Sequence, residues 1–595
     1  MAQNANEKPC LVEAGRGFSV SYQNRFLYSK YAPDRAIKGA VESLTLLPGT
    51  LILALSPALW LGLAELLQKL PEDCFVLGIE ADENLHEFAK EQLEKLKSDS
   101  SNTDFSKVAL LPFSENDYIV NILSGELSVE GLFLPHISTF RRAVPIEMSA
   151  GTQFCKEKYF QIASLAQNTI ASFWKNRITL TKLGRLYSRN LFKNIANIPH
   201  SQDFKELVHK IKRPIFVFGA GESIEETIEN IPHEELKKCF VIAVDAASPA
   251  LKAHGITPDA VVAQEGQLAI EKAYIGGTAK NSLLIADITS RKQVTRHTNQ
   301  KVTYFATKYT DSLFFKNLTQ KGFFPPTIPP LGSVGLTASY IALLLRENIN
   351  VPVFVTGLDF SFSLGRTHTK NAPAHIARLS SANRLNPAEN YAAAFRTGAK
   401  RLIGKNGIEV FTDTALEGYA KSFTDVFYGT PNLYDAGKQG IPLGIQEIAS
   451  EKLKAYLETI QAKPHEAVAS AEKGSPKQET PTQTAISPSE NDSPQTGKTT
   501  QEEITSQVRN YLETEEKSLN RIKELLMFGK DVASCSMSIE QELNALISPR
   551  EYLFLHFPDG YKCKTSDLSF LKRVRGQIDF FLKDIKAELK KENRF

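Results

Sequence analysis

Ile215-Phe-Val-Phe-Gly-Ala-Gly-Glu-Ser-Ile224 packs a strand, a turn and a helix start into one short run. The apolar residues 215–218 predict a buried strand, Gly219 and Gly221 a tight turn, and Ser223 the start of a helix. A helix start after such a turn offers free N–H groups and the positive end of the helix dipole to an anion. Two readings fit the glycines: a phosphate-binding turn, or a turn that needs glycine for its own geometry. Glu222 stands out between them, because a carboxylate repels a phosphate unless it points away.

Outward from this run, apolar strands are predicted at 240–245, 260–264, 282–287, 302–307 and 353–357, with helical segments between them. Continuous runs of this kind imply a mostly parallel sheet covered on both faces. In such sheets ligands bind at the carboxyl ends of the strands. Asp245 and Glu265 fall at such ends and are candidates for ribose, base or acceptor contacts, as is the nearby Asp259.

A second loop, Pro329-Pro-Leu-Gly-Ser-Val-Gly-Leu-Thr337, precedes a helix expected over about 334–346. Gly332 frees the backbone there, Ser333 is placed to cap the helix, and Thr337 lies one turn in. Two helix starts in one sheet are placed to converge on one diphosphate or nucleotide monophosphate. Beyond the last strand, Gly357-Leu-Asp359 presents a carboxylate at a strand end, and Gly365-Arg-Thr-His368 follows on a loop. His368 is a candidate general base, because a loop histidine titrates near neutrality. A plain surface histidine is the other reading. No two-His-plus-carboxylate spacing predicts a bound metal.

At 595 residues the chain is too long for one ordinary core. The net charge of +3 gives no ground for a nucleic-acid partner. Six cysteines without a C-x-x-C pair point away from zinc and disulfides, and toward a reducing, cytoplasmic setting. The start of the chain carries no apolar run of the signal-peptide kind. The greasy residues 50–70 contain Ser56-Pro57 and then Glu65, Gln68 and Lys69, so a strand over 51–55 and an amphipathic helix over 58–70 are expected rather than a membrane span.

Five segments are therefore expected. Residues 1–150 form a smaller α/β domain whose strands at 51–55 and 74–79 follow a βαβ plan. Its turn reads Ser56-Pro-Ala-Leu59 without glycine, so the donor loop is degenerate, although Glu80 stands where an acidic residue can hold a ribose. Residues 151–208 read as a helical connector, a helix pair with a basic side that includes Lys175, Arg177, Lys182, Arg185, Arg189 and Lys193. That side is either solvated or a face for anions. Residues 209–461 hold the central domain. Residues 462–500 lack aromatic residues and are dense in Pro, Ser, Thr, Gln, Lys and Glu, as a disordered linker would be. Residues 501–595 carry apolar residues at helical spacing and read as a helical domain, for packing or for a partner.

The order of these motifs resembles the motility associated factor (Maf) flagellin glycosyltransferases. Gly219-Ala-Gly-Glu-Ser223 resembles that family's Gly-x-Gly-Pro-Ser-Leu turn, with Glu222 in place of proline. Gly255-Ile-Thr-Pro-Asp-Ala-Val-Val-Ala-Gln-Glu265 is similar to its Gly-Ile-x-Pro-Asp segment, with Glu265 where Asp is usual. Gly332-Ser-Val334, Gly357-Leu-Asp359 and Thr367-His368 follow in the same order, then Gly404-Lys-Asn-Gly407, Thr412, Tyr419, Tyr434-Asp435 and Ile441-Pro-Leu-Gly444. Upstream, Trp174-Lys-Asn-Arg177 and Asn190-Leu-Phe-Lys-Asn194 resemble its helical connector.

The resemblance implies an α/β fold with a Rossmann-like, sialyltransferase-type central domain. It implies a protein O-glycosyltransferase that moves a nonulosonic sugar from a CMP-activated donor to Ser or Thr of flagellin, as flagellar assembly and motility require. The partners would be flagellin and the CMP-nonulosonic acid, with no metal and no other cofactor. Gly219, Gly221, Ser223 and Ser333 would hold the CMP phosphate and ribose. Asp245, Gly332 and Thr337 would also face the nucleotide. Glu265 and Asp359 would line the donor pocket, Asp359 beside the chemistry, and His368 would serve as base. The central domain is also similar to archaeal 6-hydroxymethylpterin pyrophosphokinases, which would use ATP and magnesium. A non-catalytic flagellin-binding protein is the remaining alternative.

Overall fold

The computed structural model describes residues 8–99, 104–125, 127–310, 312–460, 500–528 and 537–592. The chain divides into two compact units, Met1–Lys182 and Leu183–Phe595. The expected linker at 462–500 lies outside the described residues, apart from Thr500.

The second unit is built on a nine-stranded parallel sheet. Its order across the sheet is Thr327–Ile328, Val302–Thr307, Leu283–Asp287, Ala260–Ala263, Phe240–Val244, Ile215–Phe218, Val353–Thr356, Leu433–Asp435 and Gln446–Glu447. The Ile215, Phe240, Ala260, Val302 and Val353 strands are buried along their whole length, as a sheet covered on both faces requires. Their sequences are therefore continuous apolar runs, and all six strands expected from those runs are present. The chain lays down the Ile215 strand first, builds outward to Thr327, and then returns to the other side of Ile215 with the Val353 strand. That reversal is the topological switch point, the position beside which ligands bind in open α/β sheets. Gly219 and Gly357 sit at that point.

The helix Val334–Leu345 is buried over nearly its whole surface, which explains its near-absence of charge. Behind the sheet order, residues 360–430 form an insertion between the Val353 and Leu433 strands. It holds the helices Pro373–Ser381 and Thr414–Phe427 and the hairpin Ala399–Ile403 with Glu409–Asp413.

The same unit includes the C-terminal helices Gln501–Phe528, Met537–Ile547 and Leu568–Glu592. Val508, Leu519, Ile522, Val574, Ile578, Phe581 and Ile585 are fully buried, as their helical spacing predicted. The connector is one continuous helix, Lys156–Ile195, rather than a helix pair. On its basic side Lys175, Lys182 and Arg185 are exposed, as a solvated face requires, whereas at its end Arg189 and Lys193 both bind Asp584 of the last helix, at 2.6 and 3.3 Å. Phe192, on the same stretch, packs edge-on against Tyr552 and Phe581.

The first unit carries a four-stranded parallel sheet, ordered Val108–Leu110, Phe75–Ile79, Thr50–Leu55 and Arg142–Glu147. The helix expected at 58–70 is only Leu63–Lys69, because Trp60 and Gly62 take left-handed backbone ahead of it. Glu80 does not wait for a ribose. It is fully buried and accepts hydrogen bonds from Ser56 (2.9 Å) and from Tyr159, while burial pushes its carboxyl up to about 7. A Cβ on Gly151 would lie 2.3 Å from Ser56 Oγ, so the space beneath the degenerate loop is filled by protein. Among the described residues, no helix is long and apolar enough to cross a membrane.

Candidate functional site

At the switch point the two strand ends press together. Gly219 N–H donates to Thr356 and Gly221 N–H to Gly357, each at 2.8 Å. A Cβ on Gly219 would stand 2.3 Å from the Gly357 carbonyl oxygen, and one on Gly221 would stand 2.5 Å from Asp359 Oδ2. These glycines are thus demanded by the approach of two protein segments, whatever else they do.

Ser223 and Asp359, both expected to face the donor, bind each other instead. The Ser223 N–H donates to Asp359 Oδ2 at 3.0 Å, and its hydroxyl donates to Oδ1. Ser223 Oγ also accepts the Gly357 N–H at 2.9 Å. The carboxylate occupies the start of the helix Ser223–Asn230, the place an anion would take, and the helix dipole favours it there. Burial raises the Asp359 carboxyl, against the lowering effect of Ser223 and Lys405.

Glu222 points away from the turn. It accepts the backbone N–H of Ser363 at 2.9 Å and its hydroxyl at 2.8 Å. Glu225, one turn on, accepts Lys370 N–H at 2.7 Å and Thr369 Oγ1 at 3.2 Å, and Arg366 lies within ion-pair range of both glutamates. Thr369 N–H closes the arrangement on the Ala220 carbonyl at 3.0 Å. The loop bearing His368 is therefore clamped to the glycine turn and its helix. His368 is half-buried, with Nδ1 3.1 Å from Thr367 Oγ1, and burial lowers its pKa. At neutral pH the imidazole is uncharged and able to accept a proton.

A second polar group lines the ends of the neighbouring strands. Asp245 is buried, with Oδ1 on the Ala246 N–H at 2.7 Å and Oδ2 without a hydrogen-bond partner among the described residues. Burial, with a smaller push from Glu265, raises its carboxyl to about 7. Glu265 is half-buried and accepts the Gln267 N–H at 2.8 Å. Ser333 caps the Val334–Leu345 helix by accepting the Gly335 N–H at 3.3 Å, and Gly332 beside it is exposed with φ +78°. Thr337 is fully buried and spends its hydroxyl on Gln264 Oε1 at 3.0 Å, so it has no proton to offer a ligand directly. Among the described residues, no three His, Cys, Asp or Glu side chains gather in a way that could hold a metal ion.

Residues 189–365 match the family model described as 6-hydroxymethylpterin diphosphokinase MptE-like. A protein of Treponema pallidum (strain Nichols), described as uncharacterized, is 32% identical over 586 residues, 97% of this chain and 94% of its own. The chain belongs to that protein's family. Among solved structures, the MAf glycosyltransferase from Magnetospirillum magneticum AMB-1 is similar over 99% of this chain and 91% of its own, at 14% identity and a TM-score of 0.44.

The MptE-like stretch spans the glycine turn, Asp245, Glu265, Ser333, Thr337 and Asp359. It ends before His368, and before a residue whose position sequence reasoning missed. Lys405 is buried and pairs with Asp435 at 2.5 Å, donating also to the Gly437 carbonyl at 3.1 Å. Burial pushes Asp435 up to about 6 against the pull of Lys405. Together with Asp359 they form a buried charge cluster behind the switch point. A lysine between Gly404 and Gly407 in a hairpin reads as exposed. Only its fit under Gly440, where a Cβ on Gly404 would lie 2.5 Å from the carbonyl oxygen, tucks it inside.

Proposed function

We propose that this chain is a Maf-type protein O-glycosyltransferase. It takes a nonulosonic sugar from a CMP-activated donor and passes it to a Ser or Thr hydroxyl of flagellin. The observation that carries this reading is the neutral His368, clamped by Glu222, Glu225 and Thr369 beside the glycine turn at the switch point. In the tautomer whose Nδ1–H donates to Thr367 Oγ1, Nε2 keeps its lone pair for the acceptor hydroxyl. That proton passes to Nε2 as the hydroxyl oxygen bonds to the anomeric carbon. The bond from that carbon to the phosphate oxygen breaks, and CMP leaves as an anion. Ser333 and the exposed Gly332 supply a helix start for that anion, in place of the Ser223 start already taken by Asp359.

One observation favours a second reading, a pterin diphosphokinase: the family model matched by residues 189–365. Thermal-shift titration separates the two. The glycosyltransferase reading expects CMP and CTP to raise the melting temperature without added metal, and ATP with magnesium to act much less. A clear preference for ATP, abolished by EDTA, supports the diphosphokinase instead.

A further inference from the structure

Gln264 follows the Ala260–Ala263 strand at the carboxyl edge, and its side-chain amide is held at both ends. The holding starts at Asp287, which is fully buried and accepts four hydrogen bonds. Oδ1 takes the N–H and hydroxyl of Thr289, at 2.7 and 2.6 Å. Oδ2 takes the N–H and hydroxyl of Thr307, at 3.0 and 2.5 Å. Burial raises the Asp287 carboxyl, against the lowering effect of these Thr289 and Thr307 bonds; in its ionised form it only accepts, and the single hydroxyl proton of Thr307 is then spent on it. Toward Gln264, 3.0 Å away, Thr307 can then only accept, which assigns the facing atom as Nε2. Oε1 must therefore face Thr337, which donates to it at 3.0 Å. The polarity runs one way, from Thr337 through Gln264 and Thr307 to Asp287.

An amide pinned in this manner cannot turn over without setting two acceptors against each other at Thr307 and two donors at Thr337. Among the described residues, one N–H and one carbonyl lone pair of this amide are left without a partner at the edge where ligands bind. Two tyrosines belong to the neighbouring segments, Tyr309 two residues after Thr307 and Tyr187 against Gly266. The Tyr309 hydroxyl is buried without a partner, its ring lies 6.0 Å from that of Tyr187, and Tyr187 would lie 3.2 Å from a Cβ on Gly266. Such walls suit a planar heterocycle.

We propose that Gln264 reads the base of the donor nucleotide, and that Asp287, through Thr307, fixes it to select cytosine over uracil. The inference rests on the CMP-donor reading above. Cytosine sets an amino donor beside a ring-nitrogen acceptor, which matches the free C=O and N–H of the locked amide. Uracil in the same pose sets an acceptor beside a donor, and fits only the reversed amide. Thr307→Val removes the pin while keeping the shape, Thr307→Ser keeps the hydroxyl, and Gln264→Ala removes the reader from a half-buried position.

Calorimetric titration with CMP and with UMP tests this. The wild type should bind CMP at least tenfold more tightly than UMP, about 1.4 kcal/mol. Thr307→Val and Gln264→Ala should shrink that ratio to threefold or less, and Thr307→Ser should preserve it. CMP binding with a ratio that both Thr307→Val and Gln264→Ala leave unchanged overturns the role of Gln264 but spares the donor reading. No CMP binding by the wild type overturns both.

Discussion

Asp245 provides a prediction whose size follows from its surroundings. Its carboxyl is buried, no cation faces it among the described residues, Glu265 adds a like charge, and burial raises it from 3.8 to about 7. The folded chain therefore holds this proton more tightly than the unfolded chain does. Stability that is present below pH 3.8 is lost as pH rises to about 7. At 1.36 kcal/mol per pH unit, a shift of about three units corresponds to roughly 4 kcal/mol. Asp245→Asn abolishes the ionisation. It leaves an amide whose N–H₂ costs about 1–3 kcal/mol if unpaired, and that cost does not vary with pH. The difference between variant and wild type should thus move in the variant's favour by roughly 2.5–3 kcal/mol between pH 5 and pH 8, most steeply near pH 5–6 and level above 7. Both tryptophans, Trp60 and Trp174, lie in the Met1–Lys182 unit, so tryptophan fluorescence reports on the wrong part. Amide exchange of the Phe240–Val244 strand across this pH range, corrected for intrinsic exchange rates, is the suitable assay. A difference that stays constant from pH 5 to 8 would show that Asp245 is not held out of water as described.

Further outcomes follow from the same packing. Lys405→Met strands the buried Asp435 and should destabilise the second unit by roughly 3–5 kcal/mol in urea unfolding followed by circular dichroism; a loss under 1 kcal/mol refutes the buried pair. Gly221→Ala drives a Cβ to 2.5 Å from Asp359 Oδ2 and should lower the melting temperature even without ligand, whereas an unchanged melt means the turn has room to spare. Ending the chain after residue 460 uncovers Phe192 and frees Arg189 and Lys193. The shortened protein should melt lower and bind a hydrophobic dye, and an unaltered melt would mean that the terminal helices add no stability.

Buried parallel strands announce themselves as unbroken apolar runs, so six of the nine strands were legible in residues 215–357, whereas Thr327–Ile328, Leu433–Asp435 and Gln446–Glu447 are too short to carry such a run. The site was legible only in part, because one sequence signal serves two physical causes. Gly219 and Gly221 look alike whether a phosphate or the Gly357 backbone approaches them, and the structure places Gly357 and Asp359 there. Ser223 and Asp359 lie 136 positions apart, so their pairing has no local signature. The same holds for Lys405 and Asp435, and for Arg189 and Asp584. Glu222 was a puzzle in sequence because its partner, Ser363, is brought to it only by the loop that also carries His368. The helix expected at 58–70 failed for a local reason, the left-handed backbone at Trp60 and Gly62.

The central claim is sugar transfer assisted by His368. The direct measurement incubates the purified full-length chain with a CMP-activated nonulosonic acid and flagellin, without added metal, and follows intact flagellin by mass spectrometry. Flagellin should gain mass in steps of one sugar residue as CMP is released, and His368→Ala should slow the gain by roughly 10²- to 10⁴-fold while CMP affinity changes less than twofold. Flagellin of unchanged mass, or a His368→Ala enzyme as fast as the wild type, would contradict the account.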